Sequence, residues 1–130
     1  MTLLAQWTAD SGSTEAHIVG GTARWRADLE SAAGGNGEAP SPHDLLDSAL
    51  AACTVLTLQV YAKRKGYPLT MARAEVSHEE DRTDYKLTRR LTLEGTLDDA
   101  QRQDLLRVAN ACPIHKALHK RFAIETTLSS

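Results

Sequence analysis

Apolar residues repeat at helical spacing through the middle of the chain, and this pattern predicts one long helix. The repeat covers positions 46, 49, 50, 53, 56, 57 and 60, which share one face at helical periodicity. Ser41 is a good N-cap, Pro42 suits the first helical position, and the basic run 63–65 precedes Gly66. The predicted helix, residues 42–65, is about 36 Å long. Its apolar stripe must be covered along its length, for example by a second copy of the chain.

Alternating apolar and polar residues predict strands before this helix. A first run ends at Trp7. Gly20-Gly21 then separates two strand-like runs, 16–19 and 22–27, in the way that a two-residue hairpin turn does.

Three further elements follow the long helix. A hairpin is predicted between residues 74 and 94, with four apolar or aromatic residues on one face: Tyr85, Leu87, Leu91 and Leu93. A helix over 98–111 opens with Asp98 and Gln101 in the pattern of a capping box. A closing strand is predicted from the alternation over 122–128. This order of elements, without a repeated strand–helix–strand unit, is typical of an α+β chain.

Composition and charge narrow the classes of function. With 130 residues, 42% of them hydrophobic, the chain is expected to form one domain over residues 1–130. The formal net charge of −2 gives no electrostatic basis for binding nucleic acid. The first residues lack the features of a signal peptide, and we expect no apolar run as long as a membrane span. The sequence therefore predicts a cytoplasmic protein that does not bind a membrane.

The chain has two cysteines, and the residues next to Cys112 in the sequence favour a reactive thiol. It directly precedes Pro113, so it is the predicted N-cap of a new helical turn, where free amides favour a thiolate. His115 and Lys116 would add positive charge beside it. The alternative is a cysteine that only packs against its neighbours.

Cys53 lies in the middle of the long helix among small and apolar residues, a setting that raises the pKa of a thiol. A nucleophilic Cys53 therefore needs a cation from elsewhere, such as Arg24 or Arg26 on the early strands, or a group of another subunit. The alternative is a buried cysteine that behaves as a small hydrophobic residue. His43 and Asp44 form another titratable pair, for which the polarity of a helix start is a sufficient role.

A metal site is a further alternative. Cys112, His115 and His119 have the spacing C-x2-H-x3-H, and Cys53 could complete the four ligands of a zinc ion. A zinc site usually has a second close pair of ligands, which Cys53 does not supply. The other interpretation of the two histidines is that they are solvated residues on an amphipathic turn.

Three segments together resemble the OsmC/Ohr family of thiol peroxidases. They are GGNGEAPSPHDLL at 34–46, ALAACT at 49–54 and ACPIHKAL at 111–118. The two cysteines are 112 − 53 = 59 residues apart, which also fits the family. The resemblance implies an OsmC-like fold: an intertwined homodimer whose two long central helices are packed by antiparallel sheets.

The resemblance also implies the functional residues. It makes Cys53 the peroxidatic and Cys112 the resolving cysteine. In the family an arginine polarises the peroxide and holds the first cysteine as a thiolate, and Arg24 and Arg26 are candidates for that arginine.

A glutamate orients this arginine in the family, from a position ten residues before the first cysteine. His43 occupies that position in this chain, which is a departure from the pattern. Asp44, beside it, is a candidate substitute.

The reaction implied by the resemblance is the reduction of organic hydroperoxides. Cys53 would become a sulfenic acid and condense with Cys112 to a disulfide. A dithiol reductant, of lipoyl type in some members, would then restore both thiols, and no metal or organic cofactor is required. The alternative in the same fold is a non-catalytic protein that binds a small ligand or senses redox state.

Overall fold

The computed structural model describes residues 2–129. They form two compact units, the first ending at Ser48 and the second beginning at Ala49. The regular elements, in chain order, are β1 Leu4–Gln6, β2 Ala16–Gly20, β3 Ala23–Ala27, α1 Pro42–Lys65, β4 Leu69–Glu80, β5 Tyr85–Gly95, α2 Asp99–Ala109 and α3 Pro113–Leu118. The chain is α+β, with one long helix and antiparallel sheets, as the sequence predicts.

The first unit contains a three-stranded antiparallel sheet in the order β1-β2-β3. The β2–β3 hairpin turns through Gly21, whose φ of 59° lies in the left-handed region. Gly20 pairs with Ala23, so the turn lies one residue later than the sequence indicates. After β3, the buried Asp28 accepts hydrogen bonds from the Asn36 and Leu29 amides and from the Thr14 hydroxyl, which fixes the loop that leads to α1.

Helix α1 has the predicted bounds, because local chemistry defines both of its ends. The Ser41 hydroxyl accepts from the Asp44 amide at 3.1 Å, and the Asp44 carboxylate accepts from the Ser41 amide at 3.1 Å. This reciprocal cap satisfies two backbone donors at the start of the helix. At the other end the chain turns at Gly66, whose φ is 74°.

The buried face of α1 agrees only in part with the predicted stripe. Leu50 of that stripe is buried, as are Thr54, Leu58 and Ala62 outside it, whereas Leu56 and Val60 of the stripe are 56% and 52% exposed. The middle of the helix is apolar on most sides, so its sequence does not single out the face that packs within the chain.

The expectation that no apolar run is as long as a membrane span is wrong for α1. An 18-residue window of this helix has a mean hydropathy of 1.5, which is long and apolar enough to cross a membrane by length and composition alone. Core helices of soluble proteins pass the same test. In α1, 28% of that window is buried, and within the second unit the helix contributes Leu58 and Ala62 to a packed core.

The second unit packs α2 and the C-terminal part of α1 with the β4–β5 hairpin. The buried residues that pack together as its core are Leu58, Ala62, Leu105, Val108 and Ala109. In the hairpin, Ala74 pairs with Leu91, Val76 with Arg89, and His78 with Leu87. The face predicted for Tyr85, Leu87, Leu91 and Leu93 is therefore confirmed as the more buried one, and it also carries Arg89.

A cluster of polar side chains ties the end of α1 to α2. Tyr61 and Tyr67 each donate a hydrogen bond of 2.7 Å to the same carboxylate oxygen of Asp104. Arg107 donates to the other oxygen, also at 2.7 Å. The hydrogen bonds from Tyr67, then Tyr61, then Arg107 lower the pKa of Asp104 to about 2. The bond to Asp104 in turn raises the pKa of Tyr67 to about 12.

We expect Tyr67→Phe to destabilise the protein more at pH 7 than in acid. Because the pKa of Asp104 lies below its ordinary value of 3.8, its contribution to stability is complete above that value and is lost as the pH falls towards about 2. The raised pKa of Tyr67 makes its contribution complete below pH 10 and lost as the pH rises towards about 12. Urea midpoints of wild type and variant at neutral and acid pH measure this, and an equal difference at both would contradict it.

The predicted closing strand over 122–128 is not formed, which corrects the sequence expectation. Residues 121–129 contain no helix or strand. Phe122, Ile124 and Leu128 are 62%, 85% and 91% exposed. Alternation alone does not make a strand, because the backbone amides and carbonyls need a neighbouring strand. None of the described strands pairs with this segment.

Candidate functional site

The two thiols meet in the second unit. Cys53 lies on α1 and Cys112 immediately before α3, and both are free thiols. Both sulfurs accept hydrogen bonds from amides at the start of α3, which places the two thiols close together. Cys112 is fully buried, whereas Cys53 is partly exposed. The sequence places these residues 59 positions apart (112 − 53), and the fold brings both side chains to the start of α3.

The start of α3 supplies an amide to each sulfur. Cys112 is the N-cap, as predicted, and its sulfur accepts from the His115 amide at 3.4 Å. The Ile114 amide donates to the Cys53 sulfur at 3.5 Å. Pro113, between them, has no amide proton and occupies the first helical position. Both sulfurs therefore sit where a negative charge would be stabilised by backbone donors.

Arg89 on β5 is the cation of this site. Its Nη1 donates to the Thr54 hydroxyl at 3.0 Å. Its Nη2 donates to Asn110 Oδ1 at 2.9 Å and lies 3.2 Å from His115 Nδ1. Thr54 is fully buried and lies 4.0 Å from the Cys112 sulfur. The Arg89 guanidinium thus links β5 to α1 and to residues on both sides of Cys112 in the sequence.

The surroundings of Cys112 favour its ionised form. Burial is the largest single influence and on its own raises the pKa of this thiol. The His115 amide, the Cys53 side chain, Thr54 and the charge of Arg89 act in the opposite direction, and the net effect lowers the pKa of Cys112 below its ordinary value. This agrees with the sequence prediction of an acidic thiol at a helix start.

His115 does not supply the predicted positive charge. Burial, followed by the nearby charges of Arg89 and His119, lowers the pKa of His115. At pH 7 its ring is therefore neutral, and its Nδ1 accepts a hydrogen bond from Arg89. The cation near Cys112 is Arg89.

The zinc arrangement weighed from the sequence is not formed. The rings of His115 and His119 stack with centroids 4.8 Å apart, and His119 Nδ1 lies 2.8 Å from the His115 carbonyl oxygen. Among residues 2–129 there is no group of three or more His, Cys, Asp or Glu side chains suited to a metal ion.

The other candidate residues lie in the first unit. Arg26 on β3 forms an ion pair of 2.6 Å with Glu15, and Arg24 is exposed on the same strand. Asp44 takes part in the N-terminal cap of α1, the helix-start role that the sequence offers as its alternative. His43 is exposed beside it. Catalytic roles for these four residues stay predictions.

A cleft of about 420 Å³ in the second unit shares residues with the thiol network. Arg89, Asn110 and His115 belong to both. Five leucines form its apolar lining: Leu50, Leu87, Leu91, Leu106 and Leu118. The cleft therefore suits a ligand with a polar reacting group and an apolar body.

Arg89 is the residue of this candidate site that the sequence interpretation missed, although a signal was present. Along β5 every second residue from Tyr85 to Leu93 is apolar or aromatic except Arg89. A charge in that row faces the packed side of the hairpin, where it needs polar partners.

Comparison with known proteins gives one family. The model of the family described as OsmC-like protein matches residues 35–127. An OsmC-like protein from Mycoplasma pneumoniae is 17% identical with a TM-score of 0.74, over 90% of this chain and 85% of that one.

Two further solved structures have names that refer to organic hydroperoxide resistance. The protein from Legionella pneumophila is 22% identical with a TM-score of 0.64, over 91% of this chain and 88% of that one. OhrB of Bacillus subtilis is 24% identical with a TM-score of 0.59, over 91% of this chain and 89% of that one. These three likenesses establish the fold. A search of curated protein sequences finds no match.

Proposed function

The chain belongs to the OsmC-like protein family, and on that premise we propose that it is a thiol-dependent peroxidase of organic hydroperoxides. Family membership supports a peroxide-related redox role. The observation that carries the proposal is that the two sulfurs accept hydrogen bonds from consecutive amides at the start of α3, Cys53 from Ile114 at 3.5 Å and Cys112 from His115 at 3.4 Å. It puts a second thiol where it can react with the first one once that has been oxidised.

Exposure supports different roles for the two sulfurs. A peroxide from solvent reaches the partly exposed Cys53 more readily than Cys112, which is fully buried. Cys53 is therefore the peroxidatic and Cys112 the resolving cysteine. The leucine-lined cleft supports an organic substrate, because it offers the alkyl part of a hydroperoxide an apolar wall.

The proposed reaction has two steps before reduction. The Cys53 sulfur attacks the terminal oxygen of the hydroperoxide, the O–O bond breaks, and the leaving alkoxide takes up the thiol proton to become the alcohol. The Cys112 sulfur then attacks the Cys53 sulfur, the S–S bond forms, and the S–O bond breaks to release water. A dithiol of the lipoyl class reduces this disulfide by exchange and becomes a disulfide itself.

We further propose that the protein acts as a homodimer in the cytosol. Leu56 and Val60 on α1 and Phe122 and Ile124 near the C-terminus are each more than half exposed. Apolar surface of this extent is costly in water and suits contact with a second copy.

Oxidation by one equivalent of cumene hydroperoxide tests the peroxidase. We expect the protein to lose the mass of two hydrogens within seconds and to yield a peptide pair that joins Cys53 to Cys112. Dithiothreitol or dihydrolipoamide should restore the original mass. An unchanged mass after minutes of exposure would rule out the reaction.

The second candidate, a redox sensor, is favoured by one observation. The guanidinium of Arg89 bonds to Thr54, Asn110 and His115, so it is already engaged by the protein. In a sensor the same disulfide forms, but only slowly and without sustained turnover. The steady-state rate of peroxide consumption with excess dithiol separates the two.

A further inference from the structure

Two threonines of α1 follow Cys53 closely in the sequence, and their hydroxyls have different partners. Thr54 donates its proton to the Leu50 carbonyl at 2.7 Å, which is the usual bond of a threonine inside a helix to the carbonyl four residues back. The Thr57 hydroxyl lies 3.9 Å from the Cys53 sulfur. Among residues 2–129 this sulfur is its one hydrogen-bond partner. The proton of Thr57 is therefore available to Cys53.

Resting on the thiol peroxidase reaction above, we propose that Thr57 is a catalytic residue whose hydroxyl donates to the Cys53 sulfur and stabilises the thiolate that attacks the hydroperoxide. The family resemblance implies an arginine for this task. In this chain the hydrogen bonds of Arg89 go to other side chains of the site. Thr57 contacts the reacting sulfur itself, from the same helix.

The direction of this hydrogen bond follows from the charge of the sulfur. With a neutral thiol, either Cys53 or Thr57 can be the donor. A thiolate has no proton, so only the hydroxyl can donate once Cys53 is ionised. A donor that faces the charged form favours ionisation. Hydrogen bonds to an ionised acceptor are also shorter than neutral ones, so the separation should contract when the thiolate forms.

The amide of Ile114 approaches the same sulfur from a different element. It donates at 3.5 Å from the start of α3, whereas Thr57 lies on α1, four residues after Cys53. Two donors on separate elements restrict the position of the sulfur and leave a third lone pair of the thiolate for the peroxide. Cys53 is partly exposed, so the substrate reaches it from the open side.

The proton balance of the reaction does not require Thr57 to exchange its proton. Cys53 loses its proton to solvent, and the thiolate bonds to the terminal oxygen of the hydroperoxide. The O–O bond breaks, and the alkoxide takes a proton from solvent and leaves as the alcohol. Cys53 is then a sulfenic acid. Thr57 acts through its hydrogen bond alone and is neither the acid nor the base.

Alkylation of Cys53 by iodoacetamide tests Thr57 without any peroxide. In a Cys112→Ser background Cys53 is the only thiol, and Arg89 and His115 stay in place. Where the thiol is only partly ionised, Thr57→Val should slow alkylation by ~10-fold, because a hydrogen bond to the charged form is lost. At high pH, where ionisation is complete, the rate should not fall, because a more basic thiolate is no weaker a nucleophile.

Matched variants separate this role from a structural one. Thr57→Ala deletes the hydroxyl in a second way and should give the same profile, whereas Thr57→Ser keeps a hydroxyl and should restore most of the rate. Ser48→Ala removes another hydroxyl of α1, which donates to the Leu45 carbonyl at 2.8 Å, and should leave the profile unchanged. An equal slowing at every pH, or a Thr57→Ser variant as slow as Thr57→Val, would overturn the proposal.

Oxidation by cumene hydroperoxide distinguishes this proposal from the peroxidase itself. With both cysteines present, Thr57→Val should slow the oxidation of Cys53 at neutral pH by a factor similar to that for alkylation. A wild type that consumes no peroxide, while Thr57→Val still shifts the alkylation profile, refutes the peroxidase and upholds the hydrogen bond of Thr57 to the thiolate. Rapid peroxide consumption with an unshifted profile refutes only the role of Thr57.

Discussion

Cys53→Ser is expected to lose peroxide consumption by ~10³-fold or more, because a serine hydroxyl is not ionised at neutral pH and forms no sulfenic acid. The amide of Ile114, which donates to the Cys53 sulfur, has no comparable thiolate to stabilise in the variant. The measurement is steady-state loss of cumene hydroperoxide with excess dithiothreitol, corrected for the reaction of the reductant alone.

Cys112→Ser is the matched comparison. Its Cys53 should still be oxidised once, and the sulfenic acid should persist long enough to be trapped by dimedone, since the resolving thiol is absent. The variant without either cysteine sets the background. Turnover by Cys53→Ser at the wild-type rate would contradict the assignment, and so would an absence of any oxidised thiol in Cys112→Ser.

Leu105→Ala is expected to cost about 2–5 kcal/mol of stability, the range for removing a fully buried leucine side chain. Leu105 is 0% exposed and packs in the core with Leu58 and Ala62 of α1 and Val108 and Ala109 of its own helix. These residues belong to two helices, so the cavity left behind closes only in part. The loss of stability is measured as the fall in the urea midpoint of unfolding, with the dependence of the unfolding free energy on urea unchanged.

Leu106→Ala, on the same helix, is the control for Leu105→Ala. Leu106 is 45% exposed, so the same deletion of atoms should cost less than about 1 kcal/mol within one chain. A sedimentation measurement on both variants shows whether an unexpectedly large cost for Leu106 accompanies loss of the homodimer. A smaller effect of Leu105→Ala than of Leu106→Ala, with the dimer intact, would contradict the core described above.

The ends of helices were the most predictable part of this fold. The bounds of α1 and the cap of α2 depend on side chains that bond within three residues of themselves, as Ser41 and Asp44 do, and as Asp98 does with Gln101. Cys112 as an N-cap belongs to the same class. Local chemistry of this kind is fully contained in a short stretch of sequence.

Features that depend on distant partners could not be predicted in the same way. The alternation over 122–128 is real, but a strand also needs a neighbour, which the described residues do not provide. Arg89 can be recognised in the sequence as the charged residue in an otherwise apolar or aromatic row along β5. Its contacts with Thr54, Asn110 and His115 depend on how the hairpin packs on helices far along the chain. The thiol pair itself was predicted by the family resemblance, since periodicity alone gives no contact between two helices.

The proline after Cys112 has a consequence for the helix as well as for the thiols. Because Pro113 lacks an amide proton, the first turn of α3 has free donors only at Ile114 and His115, and the two cysteine sulfurs accept one each. The two sulfurs thus also cap the start of α3, a helix of six residues. A reagent that alkylates either sulfur should destabilise the start of this helix by ~1 kcal/mol, the usual contribution of an N-cap. Fraying of α3 should therefore report on the chemical state of the cysteines.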